Sequence, residues 1–243
     1  MSPAPTPPSR TTIAVIGAGR LGPVLARALR TAGFTVHGPL SRADEIPPVK
    51  NAILTVPDSA IPDVAAKARP HATKLAHVSG ATDLADVDFS IHPLQTFTGT
   101  EPPEVFHTIG AAIDGRTEDD KNTARHVAEA LGMIPFEVQH RATYHAAASF
   151  ASNFVLTVLD AAEQLATEAG IANPRDILAP LVRQTVDNWQ AQGAKQALTG
   201  PIARGDDATV AKQRAAATKQ QPLFDALTAA TRDLATRTPK APE

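Results

Sequence analysis

The run Thr12-Ile13-Ala14-Val15-Ile16-Gly17-Ala18-Gly19-Arg20-Leu21-Gly22 decides how the first half of this 243-residue chain is read. Five apolar or β-favouring residues end in G-x-G-x-x-G, and a helical pattern, Leu21–Ala32, follows at once. In that strand–turn–helix setting each glycine has a physical task. The first permits a tight turn, the second lets the backbone approach a pyrophosphate, and the third lets the helix pack on the strand. The helix N-terminus then offers unpaired N–H groups to phosphates. Pro23 suits an early helical position, where its missing N–H costs little. The motif therefore points to a bound dinucleotide, with Gly17, Gly19, Arg20, Leu21 and Gly22 as the residues around it.

Outward from this loop, short apolar runs alternate with helical stretches. Further strands are expected at Phe34–His37, Ala52–Val56, Lys74–Val78, Asp88–Ile91, 107–113 and Ile134–Val138, with helices at Ser59–Ala68 and Glu118–Leu131 between them. The alternation predicts a parallel sheet with crossover helices, and the continuous apolar runs suit strands covered on both faces. Beyond residue 140 no strand pattern remains. One long helix is expected over Ala142–Ala169, closed by Gly170, then others at Pro174–Gln192, Asp207–Lys219 and Gln221–Thr236, all favoured by abundant alanine. The domain plan is a tail at 1–9, an α/β nucleotide-binding domain at 10–140, an all-helical domain at 141–237 and a tail at 238–243. Both tails are expected to be disordered, being rich in proline.

Composition removes several function classes. The net charge of −2 supplies no basic field for non-specific nucleic-acid binding. Aromatics, at 4%, are too few for base-stacking platforms. With no cysteine there is no disulfide, thiolate nucleophile or cysteine metal site. The histidines show no HxxxH or HExxH spacing, so no metal is expected, and the absence of G-x-S-x-G argues against a serine hydrolase. No apolar stretch is long enough for a transmembrane helix, and Met1–Ser9 lacks the features of a signal peptide. A cytoplasmic location is the expectation.

The second strand bears on which dinucleotide is bound. NAD-binding proteins of this design carry Asp or Glu about 20 residues on, for the ribose 2′-hydroxyl. Here the strand runs out at His37-Gly38-Pro39 and Ser41-Arg42 follows. A hydroxyl and a guanidinium suit a 2′-phosphate, so NADP is favoured. Two readings compete: Asp44 or Glu45 reaches back to the ribose, or Arg42 is a solvated surface charge.

Ligands of open parallel sheets sit at the carboxyl ends of strands, and three such ends carry polar residues. Val56-Pro57-Asp58 ends the third strand; Asp58 is an N-cap candidate for the next helix, while Pro57 and Asp58 also stand where a cofactor would touch backbone. Ser79-Gly80 ends the fourth, a small turn that admits a nicotinamide or is simply a turn. His92-Pro93-Leu94-Gln95-Thr96-Phe97 ends the fifth. There His92 would face the cleft, able to donate a proton near neutral pH, with Gln95 and Thr96 holding polar groups of a substrate; a structural histidine is the alternative.

On the expected long helix, His145, Ser149, Ser152 and Asn153 fall at i, i+4, i+7 and i+8, within an arc of roughly 100°. Lys and Glu are absent from this stretch, so the stripe reads as a buried polar lining, either of a substrate site or of a helix–helix seam. His145 is the expected proton donor and Asn153 the orienting group. In Leu198–Asp206 the glycines and proline fix a turn; Asp206 reads as an N-cap, and Arg204 either grips an anionic group or is part of the turn alone.

Taken together, the glycine loop, Ser41-Arg42, Val56-Pro57-Asp58, His92–Phe97, Tyr144-His145 through Ser152-Asn153, and Thr199–Asp206 resemble a family of NADP-dependent oxidoreductases. Its members have a Rossmann-like N-terminal domain and a helical C-terminal domain of unknown function. The wider clan includes 6-phosphogluconate dehydrogenase-like proteins, pyrroline-5-carboxylate reductases, prephenate dehydrogenases, ketopantoate reductases and hydroxyisobutyrate dehydrogenases. The resemblance implies a Rossmann-type, mostly parallel sheet followed by an all-helical domain. It also implies a homodimer through that domain and reduction of a small, anionic carbonyl (a 2-oxo acid, ketopantoate-like) or imine substrate with NADP(H). His92-Pro93 is similar to the His-Pro of prephenate dehydrogenases. Clan members that place Lys and Asn at i and i+4 on the first long helix have no lysine counterpart here; His145 and Ser149 stand nearest, with Asn153 a turn on. A dinucleotide-binding regulator without turnover is the alternative function.

Overall fold

The computed structural model describes residues 11–237; the two expected tails, 1–9 and 238–243, lie outside the described residues. The chain divides into two compact units, Met1–Ser152 and Asn153–Glu243.

The first unit is built on a seven-stranded sheet in the order β2-β1-β3-β4-β5-β6-β7. Its strands are β1 (Thr12–Ile16), β2 (Thr35–Leu40), β3 (Val49–Leu54), β4 (Ala72–His77), β5 (Phe89–Pro93), β6 (Gly110–Gly115) and β7 (Ile134–Glu137). The first five are mutually parallel, and β6 pairs antiparallel with β5. The sheet is therefore mostly parallel, as the Rossmann-type plan implies, with this one antiparallel pair. A parallel return needs a crossover, usually a helix, and between β5 and β6 the chain forms only the short turn Pro103–Phe106. Phe106 is fully buried and meets Phe97 at 5.3 Å between ring centroids, which pins this connection. Helix α3, following β6, restores a parallel crossover into β7.

Helices α1 (Leu21–Thr31), α2 (Ile61–Ala68) and α3 (Glu118–Ala130) cover the sheet. Alternate strand residues feed two apolar layers. Ile13, Val15, Ile53, Phe89 and Ile91 pack with Val24, Leu25 and Leu29 of α1 and Val127 of α3. Ala14, Ile16, Ala52, Leu54 and Leu75 pack with Ile61, Ala65 and Ala68 of α2. Helix ends follow local chemistry: Phe34 N–H bonds back to the Leu29 carbonyl at 3.1 Å where α1 stops, and the Thr117 hydroxyl caps α3 at Asp120 N–H.

Helix α4 (Arg141–Ala151) falls within the first unit and opens on Arg141. Its guanidinium donates to the carbonyls of Ser79 (3.1 Å) and Thr82 (2.9 Å) and to the Ser90 hydroxyl, fastening α4 to the ends of β4 and β5. Ser152 leaves helical geometry (φ −131°, ψ −72°), so the single helix expected over Ala142–Ala169 is two.

The second unit comprises α5 (Asn153–Glu168), α6 (Pro174–Gln192), the one-turn α7 (Ala194–Ala197), α8 (Asp207–Ala216) and α9 (Gln221–Thr236). Asp206 caps α8 as expected, accepting from Thr209 N–H at 3.0 Å. No helix among the described residues is long and apolar enough to cross a membrane.

Candidate functional site

The strand order reverses between β2-β1 and β1-β3, and a crevice for a ligand opens beyond the carboxyl ends of strands at such a point. The glycine loop lies there. Gly17 turns the chain at φ +124°, and a Cβ on it would stand 2.4 Å from the Thr55 carbonyl oxygen. A Cβ on Gly22 would stand 1.9 Å from the Gly17 carbonyl oxygen, so this position must be bare for α1 to start where it does. A Cβ on Gly19 would meet nothing within 4 Å, leaving open space on the side where a diphosphate would approach. The first turn of α1 has no side-chain cap, so its N–H groups remain available to an anion. Thr55, which the sequence reading passed over, braces the loop by donating its hydroxyl to the Gly17 carbonyl at 2.9 Å. Arg20 is exposed, and Leu21 packs partly into the core beneath the loop.

Beside the loop is a pocket of about 390 Å³, lined by Gly17, Gly19, Ser41, Arg42, Asp44 and Pro57 together with apolar residues and Lys67. The residues fit a dinucleotide in kind: a bare glycine turn, apolar walls and cations at the rim. Ser41 is not free, however. Its N–H donates to Asp44 Oδ2 at 2.6 Å, and its hydroxyl, also bonded to Asp44, holds that carboxyl below the usual aspartate range. Asp44 is thereby turned toward Ser41. Lys67, in the last turn of α2, was not singled out from sequence because a lysine near a helix C-terminus is ordinary.

Two strands along, at the ends of β4 and β5, polar side chains converge. Ser79 is buried and its hydroxyl donates to Asp58 Oδ2 at 2.8 Å. Asp58 makes no cap bond to the helical turn it begins, which corrects the N-cap reading: β3 and β4 are neighbours, so their end loops pair instead. The Ser79 hydroxyl also accepts from the N–H groups of Ala81 and Thr82, fixing the loop. His77 is fully buried and satisfied, with Nε2 2.8 Å from the Asp83 carbonyl and Nδ1 accepting from Ser79 N–H; burial lowers its pKa.

His92 lies 2.6 Å through Nδ1 from the hydroxyl of Tyr144 on α4, ring edge to ring face. His145 stands beside it, 6.3 Å between centroids. Both rings close over Gly80: the position a Cβ there would take is 2.9 Å from His92 Nε2 and 2.9 Å from His145 Nδ1. Any side chain at 80 would fill that space, a stricter requirement than the small turn inferred from sequence. Burial, then the nearby His145 and Arg141, push His92 down to about 4 against a weaker opposing pull from Asp58. Burial pushes Tyr144 up to about 12. At neutral pH the phenol is therefore protonated and the imidazole neutral. Where the phenol donates to Nδ1, the ring proton lies on Nε2, on the side of Gly80.

Other expected site residues are placed differently. Gln95 and Thr96 are exposed, and the Gln95 side-chain carbonyl accepts from its neighbour's N–H at 2.8 Å. The polar stripe is broken at Ser152. Ser149 returns its hydroxyl to the His145 carbonyl at 3.2 Å, and His145 is exposed rather than buried. Asn153 opens α5 and Arg204 lies before α8; both belong to the second unit and both are exposed. Among the described residues no group of acidic or histidine side chains could hold a metal ion.

Fold and loop geometry define a Rossmann-type α/β protein with a helical C-terminal region. The chain belongs to the family described as "Domain of unknown function (DUF2520)", whose profile matches residues 109–231. No curated protein matches it. Among solved structures it is similar to BF3122 from Bacteroides fragilis, whose description as an NADP oxidoreductase is itself provisional (TM-score 0.80, 22% identity, 92% of this chain and 98% of that one). Protein TM1727 from Thermotoga maritima is similar too (0.76, 23%, 93% and 100%). So is pyrroline carboxylate reductase from Plasmodium falciparum, solved with NADP bound (0.58, 10%, 93% and 98%). At these identities what is shared is the fold.

Proposed function

We propose that this protein is a cytoplasmic NADP(H)-dependent oxidoreductase that reduces a small carbonyl compound, a 2-oxo acid of the ketopantoate kind, or an imine. The observation that carries the reading lies in the first unit: a bare glycine loop at the strand-order reversal shares the carboxyl edge of one sheet with two histidines closing over Gly80. Pyrroline carboxylate reductases and a ketol-acid reductoisomerase among the solved structures that share the fold agree with it. The chemistry such a cofactor supplies when bound is hydride donation to an electrophilic carbon.

The chain's own residues do the rest. Gly17, Gly19 and the first turn of α1 hold the diphosphate, and Arg42 faces the 2′-phosphate. His145 is assigned as the group that protonates the nascent oxygen or nitrogen, because His92 is held neutral. His92, its tautomer set by Tyr144, presents an N–H to the same spot and polarises the group being reduced.

The second unit supports a partner. Leu156, Ile177, Leu181 and Trp189 are each more than half exposed, and a second copy of the chain is proposed to cover them.

Titration of the purified protein with NADPH and NADH, followed by fluorescence, tests the reading. Micromolar NADPH binding with weaker NADH binding is expected, and 2-oxo acids and cyclic imines should then oxidise the bound cofactor. His145→Ala should abolish turnover while binding persists. Binding of neither dinucleotide sinks the proposal. Binding with no turnover on any substrate, and no effect of His145→Ala or His92→Ala, would instead favour a regulator.

A further inference from the structure

Building on the NADP(H) reading, we infer that Lys67 is a specificity-determining residue, the second cation that with Arg42 clamps the 2′-phosphate of the dinucleotide. Sequence pattern alone suggests Ser41 and Arg42 for this task. The structure removes half of that pair, because the donors of Ser41 are taken by Asp44. A dianionic phosphate held by one guanidinium is under-satisfied, since three oxygens accept hydrogen bonds and two charges need neutralising.

Lys67 meets the deficit. It lines the same pocket as Arg42, from a different element: Arg42 follows β2, whereas Lys67 rises from the last turn of α2. Neither forms an ion pair or hydrogen bond with any described residue, whereas Lys74, Lys121 and Lys219 each have a carboxylate partner. Leu40, Val56 and Val64 supply apolar wall in the same pocket, suited to an adenine. Val64 and Lys67 are three residues apart on α2, so one helical face presents both an apolar contact and a charge. Asp44, the carboxylate expected to hold a ribose 2′-hydroxyl in an NAD site, is turned to Ser41. The rim of the pocket therefore has two free cations and a committed anion, the balance a 2′-phosphate recognises and a plain ribose does not.

The test uses the whole chain and reads binding, not turnover. Wild type, Lys67→Gln and Lys67→Arg are titrated with NADPH, NADH, adenosine 2′,5′-bisphosphate and 5′-AMP. Lys67→Gln should weaken NADPH and the bisphosphate about tenfold, as expected for one charge-assisted contact. It should leave NADH and 5′-AMP within about twofold and flatten the salt dependence of NADPH binding. Lys67→Arg should restore most of the loss. Equal weakening of NADPH and NADH would place Lys67 against the adenine or diphosphate and overturn the inference, as would no change in any ligand. A wild type that binds NADPH well and keeps its preference in Lys67→Gln refutes Lys67 alone. A wild type with no 2′-phosphate preference refutes the NADP(H) reading and Lys67 with it.

Discussion

The two units handle apolar side chains in opposite ways. In the first, Ile13, Val15, Leu29, Leu75 and Phe89 are fully enclosed between sheet and helices. In the second, only Ala166, Val210 and Ala217 are buried among the described residues, while Leu156 is 67% and Leu181 65% exposed. Both units obey the same local rules: Thr117 caps α3 and Asp206 caps α8 by the same bond. Good helix chemistry therefore does not make a core. The first unit has an enclosed core of its own and carries the loop at the strand-order reversal. The second is a set of well-formed helices whose apolar faces call for another surface, and its stability is expected to rise with protein concentration.

The sharpest break of this contrast is Gly22→Ala. Its Cβ would meet the Gly17 carbonyl oxygen at 1.9 Å, a backbone atom that cannot step aside. A loss of about 4 kcal/mol of stability and of nearly all NADPH affinity is expected, read by thermal unfolding and dinucleotide titration. Sedimentation of whatever stays folded should be unchanged, since the damage belongs to the first unit. Retained tight NADPH binding would show that the loop does not hold the diphosphate.

The converse variant, Leu181→Glu with Trp189→Glu, changes residues that are 65% and 58% exposed in the chain by itself. It should leave NADPH affinity of the folded protein alone but weaken self-association by about two orders of magnitude. Sedimentation velocity over a concentration series reads this. A wild type that is monomeric at micromolar concentration would remove the reason for the contrast.

Acid should act first on the first unit. His92 titrates near 6.5 when unfolded and near 4 when folded, and His77 is shifted in the same direction. Well above pH 6.5 neither state binds the proton and stability is at its plateau. As pH falls below 6.5 the unfolded chain takes up protons that the folded chain refuses, so stability falls until His92 itself titrates near 4. For His92 the loss is on the order of 3 kcal/mol. His92→Phe should shrink it; a flat urea midpoint between pH 7 and 4.5 would contradict the burial argument.

Legibility in the sequence followed the range of the interactions. The glycine loop, the apolar strands and the Asp206 cap are local, and residues within one turn specify them. The antiparallel β6, the break at Ser152 and the position of α4 are not local. Arg141 reaches Ser79, Thr82 and Ser90, more than fifty residues back, and no periodicity encodes that reach. The same holds for the site. His92 was visible as a strand-end histidine, but its neutrality rests first on burial and then on His145 and Arg141, both brought in by α4. Tyr144 is visible in the sequence as part of the Tyr144-His145 motif but with no role of its own, because a tyrosine near a helix start is ordinary until its partner is known.

Tyr144→Phe gives the smallest expected effect and examines the join between β5 and α4 most directly. The phenol ring packs against Phe136 as well as His92, and phenylalanine keeps both contacts. What is lost is the 2.6 Å bond to Nδ1, worth about 1 kcal/mol of stability. The informative change is in the imidazole. With its acceptor role at Nδ1 released, His92 should populate the Nδ1–H tautomer, shifting its ring ¹⁵N resonances, and fewer molecules would present Nε2–H toward Gly80. Turnover should fall several-fold at unchanged NADPH affinity. Unaltered ¹⁵N resonances would mean that Tyr144 accepts from Nδ1–H rather than donating to it, and that His92 faces Gly80 with a lone pair instead of a proton.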